Sequence, residues 1–327
     1  MAISLYLLAP ALLPVFGSFP EVAHLSPLWF AAMLALQTGS YACMWAIQRL
    51  ALRTREWRPV ITSQLASNAF GRVVPGGLAA AGALQYSMLV RAGVPAGRAA
   101  SGMTASSVLV FGVLLALPAL ALPAIIGGAP VSRGLETAAL AGGVLFVLIF
   151  AVGVVAFAAD QPLRTLGRAA QGVRNRLLRG RPPLHGLPQR LLRERDLVRH
   201  TLGESWWKAL LFASGRWLLE YLALLAALVA VGADPRPSLV LLSFCAAQAL
   251  GSLPVTPGGL GFVEAGLTGT LALAGVPGPQ AVVATLAYRL VSFWLPIPAG
   301  GVAALLHRRR YGAEEPERAA GASAGRG

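Results

Sequence analysis

The chain has 327 residues, of which 56% are hydrophobic and 12% charged, and it carries a formal net charge of +14. Ordinary soluble domains contain about 25% charged residues, so this composition excludes a soluble enzyme and indicates a membrane protein. The positive charge lies in short segments between apolar runs, which argues against nucleic-acid binding and is typical of cytoplasmic loops.

Six apolar runs reach or approach the length of about 20 residues that a helix needs to cross a bilayer. The runs are continuous rather than alternating, so membrane-spanning helices are predicted rather than a barrel. The first run lacks the positive start and the small-residue cleavage site of a signal peptide, and we interpret it as a retained helix. The six runs cover about residues 2–18, 27–48, 99–126, 136–159, 206–232 and 280–306.

Two further apolar stretches, at about 60–90 and 237–275, are interrupted near their middle by Pro-Gly-Gly. The first break is at Pro75 and the second at about 254–259. Each half of about 15 residues would be only about 22 Å long as a helix, which is too short to cross comfortably. The sequence therefore predicts two re-entrant hairpins, each entering and leaving the membrane on one side.

Basic residues set the predicted orientation. Four Arg lie within 49–58, ten within 164–199 and three within 308–310, and the loops between them on the other side are poor in positive charge. By the positive-inside rule these three segments and the C-terminus face the cytoplasm. We expect a multi-pass protein of the bacterial cell (inner) membrane.

The predicted organisation is a single integral membrane domain over residues 1–310. The basic, proline-containing segment 161–204 is interpreted as a cytoplasmic linker with interfacial helix pieces. Residues 311–327 are rich in Gly, Ala and Glu and are predicted to be a disordered cytoplasmic tail.

An internal repeat relates the two halves of the chain. The tetrapeptide at 75–78 recurs at 257–260, and Ala-Gly-Val-Pro at 92–95 recurs at 274–277. The offset is 182 in both cases (257 − 75 and 277 − 95). The predicted orientation has the hairpins entering from opposite sides, so about 27–126 and about 206–306 are predicted to be inverted repeats. Paired Gly/Pro-interrupted segments in such repeats indicate a transport site near the bilayer midplane.

Charged and polar side chains at membrane depth are costly, so each is a candidate functional residue. In a polar cavity, Arg can bind a phosphate group bidentately while Glu264 balances the charge or takes a proton. The alternative is an ion-pair network that fixes how the hairpins dock. Arg216 and Glu220, four residues apart, are interpreted as a self-neutralising pair. The candidate substrate-binding residues are Asn68, Arg72, Pro75, Gly76, Gly77, Pro257, Gly258, Gly259, Gly261, Glu264, Tyr288 and Arg289.

The glycines of the breaks allow close backbone approach and leave helix-end N–H groups open to an anionic headgroup. They are not a nucleotide-binding phosphate loop, because no Lys and Ser/Thr follow. The His and Cys residues have no metal-ligand spacing, and no nucleophile–base arrangement is identified. The sequence therefore predicts no catalytic residue, no metal site and no cofactor.

A family resemblance rests on these motifs. Residues 254–264 (PVTPGGLGFVE), 275–276, 288–289 and 293–296 closely resemble the C-terminal signature of the lysylphosphatidylglycerol synthase transmembrane-region family. Asn68, 75–77 and 93–94 resemble its N-terminal signature. The first hairpin departs from the family pattern, since 78–84 lacks the usual acidic and Arg residues.

The resemblance implies a flippase-like transporter that moves a lipid with an anionic headgroup, either a phospholipid or a polyprenyl-phosphate-linked lipid. Members with synthase activity carry a cytoplasmic aminoacyltransferase, and a largest cytoplasmic segment of about 45 residues leaves no room for it. We therefore expect a transporter rather than an enzyme. The alternative is a non-transporting scaffold for a lipid-modifying or glycosyltransferase partner in the membrane.

Overall fold

The structure is a computed structural model that describes residues 26–74, 77–118, 160–177, 185–190, 192, 193, 196, 203–234, 236–251 and 257–312. Every regular element among these residues is helical. The prediction of a polytopic helical membrane protein is confirmed. The helices are α1 (Pro27–Ala51), α2 (Arg58–Val73), α3 (Gly77–Arg91), α4 (Ala96–Ala116), α5 (Asp160–Leu177), α6 (Trp206–Ala230), α7 (Pro237–Gly251), α8 (Phe262–Leu273), α9 (Gly278–Arg289) and α10 (Pro296–Tyr311).

Four helical segments are long and apolar enough to span a membrane: α1, α4, α6 and the continuous run Gly278–Tyr311 formed by α9 and α10. They correspond to four of the six predicted spans. The other two predicted spans, at about 2–18 and 136–159, lie outside the described residues, as does the predicted tail beyond residue 312.

A π-helical turn over Leu290–Trp294 joins α9 to α10. Leu295 N–H donates to the Leu290 carbonyl at 2.9 Å, a bond one residue longer than in an α-helix. Pro296 and Pro298 follow directly, and proline has no N–H to donate to the preceding turn. The widened turn is the expected response, and such turns occur often at functional sites.

Both interrupted stretches fold as helical hairpins. α2 packs against α3 and α7 against α8. The two arms of the first hairpin meet at Gly71 and Gly77, and those of the second at Gly251 and Val263. In each hairpin the residues in contact lie on either side of the break, so the arms run antiparallel. Residues 75–76 and 252–256 of the breaks lie outside the described residues.

The two halves of the chain share one order of elements: a long helix, two half-length helices and another long segment. The starts of α1 and α6, of α2 and α7, and of α4 and α9 are separated by 206 − 27 = 179, 237 − 58 = 179 and 278 − 96 = 182 residues. The similarity therefore extends from the repeated tetrapeptides to the whole arrangement of helices.

The repeated Ala-Gly-Val-Pro has the same backbone conformation in both halves. Gly93 and Gly275 have φ values of 87° and 91°. Val94 N–H donates to Leu89 O at 3.0 Å, and Val276 N–H to Leu271 O at 3.1 Å. This is the glycine-terminated helix end in which a left-handed residue caps free carbonyls. The motif is repeated because each half must turn its chain in the same way.

Equivalent helices run in opposite directions. α2 begins next to the end of α10, where Thr62 Oγ1 lies 2.7 Å from His307 Nδ1. α7 begins at the opposite end of the bundle, next to the end of α6, where Tyr221 O–H donates to Pro237 O at 2.6 Å. The two hairpins therefore enter the bundle from opposite ends and reach towards its middle.

The core lies along α6, whose Ala213, Leu224 and Leu228 are fully buried. α6 packs closely on α1 through small residues, with Leu219 beside Gly39 and Cys43 Sγ 3.4 Å from the position of a β-carbon on Gly215. Small residues at helix crossings let backbones approach closely in membranes. Cys43 and Cys245 are both free thiols, as packing residues would be.

The α2–α10 contact predicts different outcomes for two neighbouring glycines. A β-carbon on Gly300 would overlap Ala69 and the Leu65 carbonyl, whereas one on Gly301 would meet open space. We expect Gly300→Ala to destabilise the protein by about 1–3 kcal/mol through overpacking. Gly301→Ala should leave stability unchanged or raise it by about 0.5–1 kcal/mol. Thermal unfolding of the purified protein in detergent measures both, and equal melting temperatures would contradict this packing.

Candidate functional site

The tips of the two hairpins meet at Phe293, in the π-helical turn. A β-carbon on Gly258 would lie 2.6 Å from the Phe293 ring and 3.1 Å from the Arg72 carbonyl oxygen. Gly258 also has a φ of 60°, which favours glycine. Only glycine therefore allows the second tip to lie this close to the first tip and to the last span.

Arg72, at the end of α2, is held by three acceptors from three elements. Its Nε donates to Asn68 Oδ1 at 2.8 Å and its Nη2 to the Tyr41 hydroxyl at 3.1 Å. Its Nη1 donates to the Phe293 backbone carbonyl in the π-helical turn. Asn68 and Arg72 lie one turn apart on α2, and the bonds of Arg72 tie the first hairpin to α1 and to the last span.

Arg289 and Glu264 form an ion pair between α9 and α8. Arg289 Nε donates to Glu264 Oε1 at 2.7 Å, and the two side chains are 10% and 18% exposed. The second carboxylate oxygen, Glu264 Oε2, and the terminal nitrogen Arg289 Nη2 are buried without a hydrogen-bond partner. Each residue therefore uses only part of its hydrogen-bonding capacity within the protein.

The Phe293 ring contacts both guanidinium groups. The guanidinium carbon of Arg289 lies 4.2 Å from the ring centroid and that of Arg72 lies 5.0 Å from it. Cation–π attraction stabilises each contact by about 0.5–2 kcal/mol. Two like charges are thus held close together on one aromatic ring, in a part of the bundle where only one described carboxylate, Glu264, pairs with either of them.

A second polar group lies beside the first, around Glu220 of α6. Glu220 Oε1 is 3.4 Å from both Gln248 Nε2 and the Tyr288 hydroxyl, which are 3.3 Å apart. Glu220 Oε2 is 3.8 Å from Arg216 Nη2, so the predicted ion pair one helical turn apart is present. Because Tyr288 precedes Arg289 in α9, this group adjoins the Glu264–Arg289 pair.

The predicted site residues take different positions. Asn68, Arg72, Gly258, Glu264, Tyr288 and Arg289 converge around the hairpin tips. Gly77 and Gly259 shape the hairpins themselves, because β-carbons there would meet Gly71 and Val263 respectively. Gly261, with a φ of 77°, precedes the first residue of α8. Pro257 lies in the 3₁₀ turn Pro257–Gly259, and Pro75 and Gly76 lie outside the described residues.

Sequence reasoning missed three participants. Tyr41 lies on a span with no charge or break near it, and Gln248 lies on the first arm of the second hairpin without a charged neighbour, so no local pattern marked either residue. Phe293 belongs to the family signature, but its contact with both arginines depends on the π-helical turn. The neighbouring Trp294 contributes an indole Nε1 that is buried without a hydrogen-bond partner.

The site can present several donors to an anion. Arg72 and Arg289 supply positive charge, and the unpartnered donors Arg289 Nη2 and Trp294 Nε1 are available in the same region. Among the described residues, no group of three or more His, Cys, Asp or Glu is placed to hold a metal ion. These groups can recognise negative charge.

Comparison with known proteins gives one family and a few relatives. The family model described as the lysylphosphatidylglycerol synthase TM region matches residues 2–300. Two relatives, each named UPF0104 membrane protein, from Methanothermobacter thermautotrophicus, are 35% identical over 86 residues and 36% identical over 89 residues. The matched stretches cover 26% and 27% of this chain and 26% of each relative. No solved structure matches the chain.

The contribution of the Glu264–Arg289 ion pair to stability can be tested by removing its partners singly and together. Removing one partner of a buried pair leaves an uncompensated charge, which costs about 3–5 kcal/mol when burial is complete. Arg289→Gln or Glu264→Gln alone should therefore lower the melting temperature in detergent, and the double variant should recover part of the loss. Additive losses in the double variant would contradict a direct interaction.

The tip contact is tested by Gly258→Ala against Gly261→Ala. Both positions have positive φ, but Gly261 (φ 77°, ψ −41°) lies further from the left-handed helical region than Gly258 (φ 60°, ψ 16°), so backbone strain alone would make Gly261→Ala the costlier substitution. Only Gly258 would direct a β-carbon into Phe293, whereas Gly261 has open space around it. We expect Gly258→Ala to lower the thermal stability clearly more than Gly261→Ala. A larger loss in Gly261→Ala, as backbone strain alone predicts, would indicate that the tips do not touch through Phe293.

Proposed function

Since this chain belongs to the lysylphosphatidylglycerol synthase transmembrane-region family, we propose that it is a flippase-like transporter of lipids with an anionic headgroup. The lipid is a phospholipid or a polyprenyl-phosphate-linked lipid, and it moves between the two leaflets of the bacterial cell membrane. The observation that carries the proposal is the pair of arginines on Phe293, at the point where two oppositely directed hairpins meet.

The headgroup is the part of a lipid that opposes its movement across the bilayer, because burying an unpaired charge in hydrocarbon is strongly unfavourable. Arg72 and Arg289 offer a compensating charge at the middle of the bundle. A guanidinium can bind a phosphate through two parallel hydrogen bonds, and Arg289 has a terminal nitrogen without a partner in the protein. A phosphodiester fits this combination of charge and donors.

Glu264 can compete with a lipid phosphate for binding to Arg289. In the structure the carboxylate occupies the guanidinium through Nε at 2.7 Å. An entering phosphate would take over part of this bonding and leave Glu264 to accept a proton or a different donor. Such an exchange keeps Arg289 compensated both with and without a bound lipid, which avoids a buried unpaired charge at any step.

The hairpins provide the route. Each reaches the middle of the bundle from its own end, and broken segments of inverted repeats in transporters hold binding sites at mid-membrane. If one hairpin moved its tip away from Phe293, the two arginines would become accessible from one leaflet only. Re-entrant insertion in the membrane and a cytoplasmic location of the basic loops belong to this proposal.

The test is movement of headgroup-labelled fluorescent lipids by the purified full chain in liposomes, followed by quenching of the outer leaflet with dithionite. Labelled phosphatidylglycerol, phosphatidylcholine and a polyprenyl phosphate are compared. We expect faster movement of the anionic lipids, and a decrease of about tenfold or more in Arg289→Ala, because a charge-assisted hydrogen bond contributes about 1.5–3 kcal/mol.

The matched control is Arg310→Gln, which removes a positive charge at an exposed position at the end of α10. It should leave the rate unchanged. The folding of each variant is checked by its melting temperature. The double variant Glu264→Gln/Arg289→Gln removes both charges of the ion pair and so leaves the net charge of the site unchanged. Folded protein that moves none of the lipids would overturn the proposal and favour the scaffold for a membrane enzyme partner.

A further inference from the structure

The basic linker contains a cleft that the transport site does not use. A cavity of about 900 Å³ lies between α5 and the segment 185–193. Four arginines line it: Arg164, Arg168, Arg190 and Arg193. The topological role of this segment requires only that positive charge be present in the loop. It does not require arginines from two stretches of chain to line one cavity.

The two walls of the cleft are joined by a specific hydrogen bond. Leu187 N–H donates to Gln171 Oε1 of α5 at 3.1 Å. Arg164 and Arg168 are four residues apart on α5, and Arg190 and Arg193 are three apart, so each pair lies on one helical face. The geometry therefore brings two arginine pairs from different segments to opposite walls of one cavity.

Within the described part of the chain, the arginines keep most of their donors free of protein partners. Arg168 Nε donates to the Arg164 carbonyl at 3.4 Å, and Arg193 Nε to the Gln189 carbonyl at 3.4 Å. These contacts occupy Nε and leave the two terminal nitrogens of each group. Among the described residues, none of the four forms an ion pair with a carboxylate, and the described lining contains no acidic side chain.

Four like charges around one cavity repel one another, and a bound anion relieves this repulsion. A cavity of this size is within the range of small-ligand sites. Guanidinium groups favour planar, bidentate contact with phosphate oxygens over simple ion attraction. His185, which also lines the cavity, adds a ring that can donate a further hydrogen bond.

We infer that this cleft is a second anion-binding site, for a ligand carrying one or more phosphate groups. The ligand is the headgroup of an anionic lipid or a soluble phosphate compound, since both present the same oxygens to the guanidinium groups. The inference rests on the arginine pairs and the cleft between them, and it is independent of the transport function proposed for the hairpin site.

Calorimetric titration of the full chain in nonionic detergent tests the site with two probes, inorganic pyrophosphate and dihexanoyl phosphatidic acid. We expect saturable binding of at least one probe. The variants Arg164→Gln/Arg168→Gln and Arg190→Gln/Arg193→Gln should each weaken binding about tenfold or more, because each removes two charged donors. Binding of pyrophosphate alone identifies a soluble ligand, and binding of the short-chain lipid alone identifies a membrane headgroup.

Arg308→Gln/Arg309→Gln is the matched control, because it removes two exposed arginines at the end of α10. It should change affinity by less than about threefold. If the probes bound by general attraction to a basic protein, this control would weaken binding as much as the cleft variants do. Arg164→Lys/Arg168→Lys keeps the charge and should still bind more weakly than the parent, since lysine lacks the bidentate fork. Equal losses in the control, or no saturable binding of either probe, would overturn the inference.

Discussion

A broken helix can exist inside a bilayer only if its unpaired backbone groups are covered by protein or face a water-filled cavity. In the proposed insertion of the hairpins into the membrane, this constraint accounts for much of the arrangement around Phe293. The two hairpin tips cover each other and the π-helical turn of the last span, and glycine at 258 makes the approach close enough. Arg72 donates to the Phe293 carbonyl within that turn. The following prolines have no N–H to donate to the turn, so the Arg72 side chain supplies a hydrogen bond that the backbone lacks. The same contacts bring the charged residues together.

The ion pair and the arginine–aromatic contacts therefore have two aspects. They dock the hairpins, since Arg72 links α1, α2 and the last span, and Glu264–Arg289 links α8 to α9. They also leave donors and acceptors unused, including Arg289 Nη2 and Glu264 Oε2. A network built only for stability would be better replaced by apolar packing, because buried charges seldom add net stability. Hydrogen-bonding groups that the protein leaves unused are what the binding of an exchangeable ligand requires.

Much of the fold could be predicted from the sequence because a bilayer imposes simple rules. Length and hydropathy identified α1, α4, α6 and the last span, and Pro-Gly-Gly identified where two further stretches break. The charged candidates Arg72, Glu264 and Arg289 followed from the cost of burying charge. Tyr41, Gln248 and Phe293 did not, because their role comes from contacts between elements far apart in the chain. The convergence of arginines in the basic linker was also hidden, since residue spacing does not reveal which segments face each other.

The repeat is symmetric in backbone but not in chemistry. At the offset of 182, Glu264 corresponds to Gly82 (264 − 182) and Arg289 to Ser107 (289 − 182), so the ion pair has no counterpart in the first half. Two identical halves could exchange conformations and reach two states that are related by two-fold rotation and equal in free energy. In the proposed transport cycle the exchange is unequal, because only the second hairpin is held by a carboxylate–guanidinium ion pair, Glu264–Arg289. The apo protein should then rest mainly with the ion-paired hairpin closed, and a ligand that competes for the guanidinium would shift the population towards the other state.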